Sequence, residues 1–149
     1  MSDAVRESVL IAAPAERVWE VVMDPDRLGD WVTTHDSLEG PAEGPLRSGS
    51  SFTQRLKLAG APFKVRWTVT ECSRPHLARW EGKGPGGSTA HVSYGLAEQD
   101  GDTRFNYENR FELPGGVLGR VAGKAIAAAG SEREARHSLE NLKRLLESG

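Results

Sequence analysis

The sequence predicts an α+β fold: a curved antiparallel sheet wrapped around a long C-terminal helix, with two short helices after the first strand. Three observations carry this expectation. Apolar and polar residues alternate in a run of short segments between positions 51 and 113, an apolar stripe at alternating three- and four-residue spacing runs from Leu118 to Leu146, and Ala13-Pro14 and Asp24-Pro25 punctuate the chain soon after its first alternating segment. Clean alternation means strands with one buried and one wet face. A curved sheet must cover its apolar face, and only the long helix can do so.

Val5 to Ala12 opens as a strand, with Val5, Val9 and Ile11 on one parity and Arg6 and Ser8 on the other. Pro14 suits the first turn of a helix, where its missing N–H is no loss, and Val18, Trp19, Val21 and Val22 give that helix an apolar side. Asp24-Pro25 repeats the start signal, followed by Leu28 and Trp31 three apart. Residues 40–50 read as a loop. Phe52, Gln54, Leu56 and Leu58 then face inward in one strand, and Phe63, Val65, Trp67 and Val69 in the next, after a turn at Gly60-Ala61-Pro62. A short strand carries Ala78 and Trp80, and residues 82–88 read as a glycine-rich rim loop. Ala90, Val92, Tyr94 and Leu96 share the inner parity of the following strand, Asp100-Gly101 makes a hairpin turn, and Phe105, Tyr107, Asn109, Phe111 and Leu113 face inward in the last.

Pro114-Gly115-Gly116 ends the sheet pattern. The stripe Leu118, Val121, Ala125, Ala128, Ala135, Leu139, Leu142 and Leu146 predicts one helix kinked at Gly130, or two nearly collinear ones. Ser131 with Glu134 forms a capping box at that point. Bulky aromatics from the sheet face small residues (Ala122, Gly123, Ala125, Ala129) on the first half of the helix, which leaves room for an aromatic-lined cavity.

The 149 residues suffice for one sizeable core and not for two, and no segment looks like a linker, so a single domain over residues 1–149 is expected. A net charge of −2 disfavours a nucleic-acid binder. The lone Cys72 excludes an internal disulfide and a cysteine metal cage. No basic and apolar leader opens the chain and no apolar run reaches the roughly 18 residues of a membrane span, so a cytoplasmic location is expected. Residues 1–46 carry three Lys/Arg and ten Asp/Glu, whereas residues 47–83 carry eight and two. Most of that basic excess is Arg55, Lys57, Lys64 and Arg66 on the wet face of two paired strands. Glu108 and Glu112 are the candidates to offset it.

The segment Ile11-Ala12-Ala13-Pro14-Ala15-Glu16-Arg17-Val18-Trp19, the Asp24-Pro25 step, Leu28 through Trp31 and the turn Gly101-Asp102-Thr103-Arg104 together resemble the START-like, or helix-grip, superfamily. That superfamily includes polyketide cyclase/dehydrase-like (SRPBCC) proteins, lipid transfer domains and the plant allergen type. The resemblance covers nearly the whole chain and its motifs are structural. It implies the helix-grip fold and an apolar ligand held between helix and sheet. Transporters, cyclases, hydrolases and binding modules share this architecture, so function must be argued from the site.

The residues expected to line a ligand site are Trp31, Phe52, Gln54, Phe63, Trp67, Trp80, Tyr94, Tyr107, Asn109 and Phe111, with Val121 and Ala125 from the helix. Gln54, Asn109 and the two tyrosine hydroxyls are inward polar groups that need partners, either one another or a ligand with its waters. His35, His76, His91 and His137 are scattered, which points to no metal site, and His35-Asp36 reads as surface loop near the cavity mouth. Cys72 falls on the wet parity and reads as inert. Glu132 falls on the helix stripe, where it either faces the cavity or serves as a first-turn acid after Ser131; the second reading is favoured. The expected function is to bind or carry a hydrophobic small molecule (lipid, isoprenoid or polyketide-like) without a cofactor. The alternative is a cyclase/dehydratase acting on a poly-β-keto chain, with Tyr94 or Tyr107 as acid and a water or Glu132 as base. A third class is a protein-interaction module that uses the basic sheet face.

Overall fold

The computed structural model describes residues 5–39, 46–58, 61–112 and 132–148, without the side chains at positions 58, 61, 85 and 111. The first strand, β1 (Val5–Ile11), leads into α1 (Ala15–Val22), a 3-10 turn (Pro25–Arg27) and α2 (Leu28–Trp31). The strands β2 (His35–Leu38), β3 (Ser51–Leu58), β4 (Ala61–Ser73), β5 (Leu77–Lys83), β6 (Thr89–Gln99) and β7 (Asp102–Glu112) follow, and α3 (Glu132–Glu147) comes last. The seven strands form one antiparallel sheet in the order β1-β7-β6-β5-β4-β3-β2, curled into a half-barrel. The fold class expected from the sequence is the one observed.

Local chemistry explains the elements. Pro14 stands at the N-cap of α1 with an extended backbone, one position earlier than expected, and α1 buries Ala15, Val18, Trp19, Val21 and Val22. Asp24 Oδ1 accepts the Asp26 N–H at 3.0 Å, and Pro25 opens the turn that runs into α2. Asp100 (φ 52°) and Gly101 (φ 88°) both take the left-handed backbone that a two-residue hairpin between β6 and β7 requires. Thr103, fully buried, donates its hydroxyl to the Ala13 carbonyl at 2.7 Å and ties β7 to the start of α1.

The helix α3 buries Ala135, Ser138, Leu139, Leu142 and Leu146 and packs along β1 and α2. Its C-terminal end is fastened to β1: Lys143 Nζ donates to the Leu10 carbonyl at 2.8 Å, and Glu147 Oε2 accepts the Ala12 N–H at 2.9 Å. The predicted stripe from Leu118 to Ala128 lies outside the described residues.

Four expectations need correction. His35–Leu38 is not a surface loop but the edge strand β2, paired with β3. Alternation fails in β4 because a bulge between Val69 and Glu71 leaves Thr70 with no residue opposite it on β5. Beyond that point the parity reverses: Cys72 lies opposite the fully buried Ala78 and packs against the core, and burial pushes its thiol pKa up. Gly82 and Lys83 belong to β5, not to a rim loop. A Cβ on Gly82 would lie 2.7 Å from both Trp67 Cζ3 and Val65 Cγ1, so the missing side chain is what lets Trp67 lie across the sheet. Finally, Glu39 offsets the basic stripe. It sits 2.9 Å from Lys64 and 3.9 Å from Arg55, which face each other across the β3–β4 ladder. Glu108 instead pairs with Arg6 at 3.3 Å.

Candidate functional site

A cavity of about 90 Å³ lies between the concave face of the sheet and the α2–α3 side of the molecule. Phe52, Gln54 and Leu56 reach it from β3, Trp67 from β4, Trp80 from β5, Val92 and Tyr94 from β6, Tyr107 and Asn109 from β7 and Val5 from β1. Pro25, Leu28 and Trp31 close one side, and Glu134, Ala135, Ser138 and Leu139 of α3 close another. A single water needs only about 10–15 Å³, and the pockets that take drug-sized ligands measure roughly 300–1,000 Å³. As it stands, the cavity therefore suits a small molecule, or one end of a larger one.

Tyr94 is the centre of the aromatic lining. Its ring centroid lies 6.0 Å from Trp31, 5.8 Å from Trp80, 5.2 Å from Phe105 and 6.1 Å from Tyr107. All four contacts are tilted or edge-on, the arrangement that ring quadrupoles favour. Burial pushes the Tyr107 hydroxyl up to about 12, against the opposing effect of the Asn109 hydrogen bond. Burial, with Tyr107 adding to it, raises Tyr94 as well. Both phenols are therefore neutral hydrogen-bonding groups across the physiological range.

The two inward amides behave differently. Gln54 is fully engaged: its Oε1 accepts the Trp67 indole N–H at 2.9 Å, and its Nε2 donates to His35 Nδ1 at 2.8 Å. Burial holds the His35 pKa below its ordinary value, with Asp36 opposing the effect. Asn109 is only half engaged. Its Nδ2 donates to the Tyr107 hydroxyl at 2.8 Å, but its buried Oδ1 has no partner. The indole nitrogens of Trp31 and Trp80 are likewise buried and unpartnered. Each such group costs on the order of 1–3 kcal/mol, so among the described residues the lining holds three unmet hydrogen-bonding needs, two donors and one acceptor.

The lining includes one ionisable acid among the described residues, Glu134. Its Oε2 accepts the Thr33 hydroxyl at 2.6 Å, and Ser138 Oγ accepts the Thr33 N–H at 3.1 Å. These contacts clasp the chain after α2 to the first turns of α3. Among the described residues, no cluster of three or more His, Cys, Asp or Glu side chains could hold a metal ion. No helix among them is long and apolar enough to cross a membrane.

Of the residues singled out from the sequence, Trp31, Phe52, Gln54, Trp67, Trp80, Tyr94, Tyr107 and Asn109 line the cavity together. Phe63 does not. It pairs with Leu56 close to the β3–β4 turn and packs against the core there. The Phe111 side chain, Val121 and Ala125 lie outside the described residues. Glu132 is exposed on α3, and Ser131, the cap expected before it, lies outside the described residues. Two positions further on, Glu134 is the acid at the cavity. The signal for Glu134 and Ser138 is present in the sequence: they stand four apart and each precedes a stripe residue, Ala135 and Leu139.

A family model described as polyketide cyclase / dehydrase and lipid transport matches residues 2–147. A Mycobacterium tuberculosis protein named Toxin Rv0910 is 23% identical over 134 residues, which cover 90% of this chain and 91% of that protein. The solved structure of TTHA0849 from Thermus thermophilus matches with a TM-score of 0.77 at 18% identity, covering 98% of both chains. A START superfamily protein from Mycobacterium smegmatis matches with a TM-score of 0.73 at 15% identity, covering 97% of both. At these identities the solved structures establish the fold alone. The family match spans nearly every residue of the curled sheet and its helix, and the chain belongs to the polyketide cyclase / dehydrase and lipid transport family.

Proposed function

We propose that this chain, acting as a single ligand-binding domain, binds or carries a small, mostly apolar molecule with a few neutral polar groups in the cavity between sheet and C-terminal helix. The observation that carries this reading is the lining itself: aromatic and aliphatic side chains interspersed with the buried, unpartnered Trp31 Nε1, Trp80 Nε1 and Asn109 Oδ1. Buried side-chain polar atoms in a core ordinarily find a partner, in the protein or in ordered water. A ligand that brings both acceptors and a donor supplies what these three lack.

Native mass spectrometry of protein purified without detergent tests the reading, together with titration by an apolar fluorescent probe. A retained small-molecule adduct, or saturable quenching of tryptophan emission by the probe, is the expected result. Bare protein mass with no saturable quenching overturns it.

A second reading, cyclisation or dehydration of a poly-β-keto chain, draws on the position of Glu134 in the same lining as the neutral Tyr94 and Tyr107. Binding is preferred on two grounds. Phenols raised by burial are weak general acids at neutral pH, and the Glu134 carboxylate already accepts the Thr33 hydroxyl. Turnover of a poly-β-keto substrate that Glu134→Gln abolishes while binding persists would reverse this ranking.

A further inference from the structure

Asn109 is 7% exposed and sits on β7, between β1 and β6. The residues directly opposite it are Val5 on β1 and Val92 on β6, both of which also line the cavity. Neither side chain can donate a hydrogen bond to Asn109 Oδ1, and strands on both sides occupy the neighbouring backbone groups in their ladders. Among the described residues none supplies the missing donor, which leaves the cavity to supply it. Tyr107 defines the other half of the need. Its oxygen accepts the Asn109 N–H at 2.8 Å, so its own O–H remains to be donated.

We infer that the Asn109–Tyr107 pair selects a ligand hydroxyl, and that the molecule bound is a small apolar alcohol or phenol. This inference rests on the binding reading above. Among organic functional groups, a hydroxyl is the smallest neutral one that can donate to Oδ1 while accepting from Tyr107. An ether, ester or ketone offers only acceptors and would leave Oδ1 unmatched beside a second oxygen. A carboxylate does the same and brings a charge into an apolar site. A hydrocarbon leaves both groups unmatched. Gln54, the other inward amide, cannot play this part, because Trp67 and His35 occupy both of its ends.

Three near-isosteric probes test the inference: phenol, which donates and accepts; anisole, which only accepts; and toluene, which does neither. Their affinities are read by NMR titration of the indole and Asn side-chain N–H resonances. Phenol should bind about tenfold or more tighter than anisole, a factor appropriate to one matched buried hydrogen bond. In Asn109→Leu that preference should fall to within about threefold. If the variant does not fold, the order of the three probes on the wild-type chain decides alone. Equal binding of anisole and phenol overturns the hydroxyl assignment and leaves the binding reading standing; it would mean that the amide turns its NH₂ toward the ligand. Failure of all three probes to bind overturns the hydroxyl assignment; bare protein mass without saturable quenching is what overturns the binding reading as well.

Discussion

The Trp67 indole on β4 and the Gln54 amide on β3 are diagonal neighbours across the sheet, joined by an N–H···O bond of 2.9 Å. That bond fixes which end of the amide faces which way. The Gln54 NH₂ must then face His35, so His35 Nδ1 accepts at 2.8 Å and the neutral ring carries its proton on Nε2. A tryptophan inside the lining thus sets the tautomer of a histidine on the edge strand.

Gln54→Leu should destabilise the fold by about 1–3 kcal/mol, because it leaves the Trp67 indole N–H buried without a partner. The Gln54→Leu, Trp67→Phe double variant should recover part of the loss, since the orphaned donor is then gone. Urea unfolding of the two variants and the parent provides the check. An unchanged midpoint in Gln54→Leu would show that this bond adds nothing.

Stability should fall as the pH drops through the histidine range. His35 has a lowered pKa in the folded protein, so the unfolded chain binds its proton more readily. The contribution is fully present above the unfolded pKa of about 6.5 and is lost as pH falls through and below it. Protonation also sets an N–H against the Gln54 NH₂. Asp36 works in the opposite direction, and α2 packs closely on the ring, since a Cβ on Gly29 would sit 3.4 Å from His35 Cδ2. Denaturant midpoints between pH 8 and 5 should slope less steeply in His35→Gln than in the parent. Identical slopes would remove His35 as the source.

Gly82→Ala should cost about 1–3 kcal/mol through overpacking, because the added methyl meets Trp67 and Val65 at 2.7 Å. Gly95 is the control: it also lies within a strand, but there the nearest atom to a new Cβ is Asn106 Cβ at 3.7 Å. Gly95→Ala should shift the melting temperature by far less than Gly82→Ala. Equal shifts in the two variants would contradict the close-approach argument.

Glu39→Gln should lower the melting temperature at low ionic strength, and the deficit should shrink as salt is added. Glu39 bridges Lys64 and Arg55, and the Lys64 hydrogen bond and charge hold its carboxyl below the usual range. Without the carboxylate, the two facing cations repel, and this repulsion is screened at about 1 M salt, where the Debye length is near 3 Å. A deficit independent of salt would point to lost packing instead.

Much of this architecture is legible in the residue pattern because its physics is local. Parity alone places Phe52, Gln54, Trp67, Tyr94, Tyr107 and Asn109 on one face, and the Asp24-Pro25 cap and the Asp100-Gly101 turn read directly. What escapes depends on tertiary pairing. His35–Leu38 becomes a strand because β3 offers it an edge, not because four such residues favour one. The bulge at Thr70 carries no composition signal, so parity puts Cys72 on the wrong face. Gly82 reads as a loop residue because nothing in the sequence says that Trp67 needs the space. Whether an inward amide is satisfied cannot be read from parity either: Gln54 and Asn109 look alike in sequence, and only their neighbours separate them.

Because the Tyr94 ring touches rings from α2, β5 and β7 at once, the contour of the cavity is a collective property. A change of size on any one wall is passed through that ring to the others. Its hydrogen-bonding pattern is only partly collective: the unmet atoms of Trp31 and Trp80 belong to that ring cluster, whereas the Asn109 Oδ1 does not. At Asn109 contour and polarity are thus separate dials. Redesign for a new ligand can begin with substitutions at Asn109 that keep its volume, leaving the aromatic scaffold as it is.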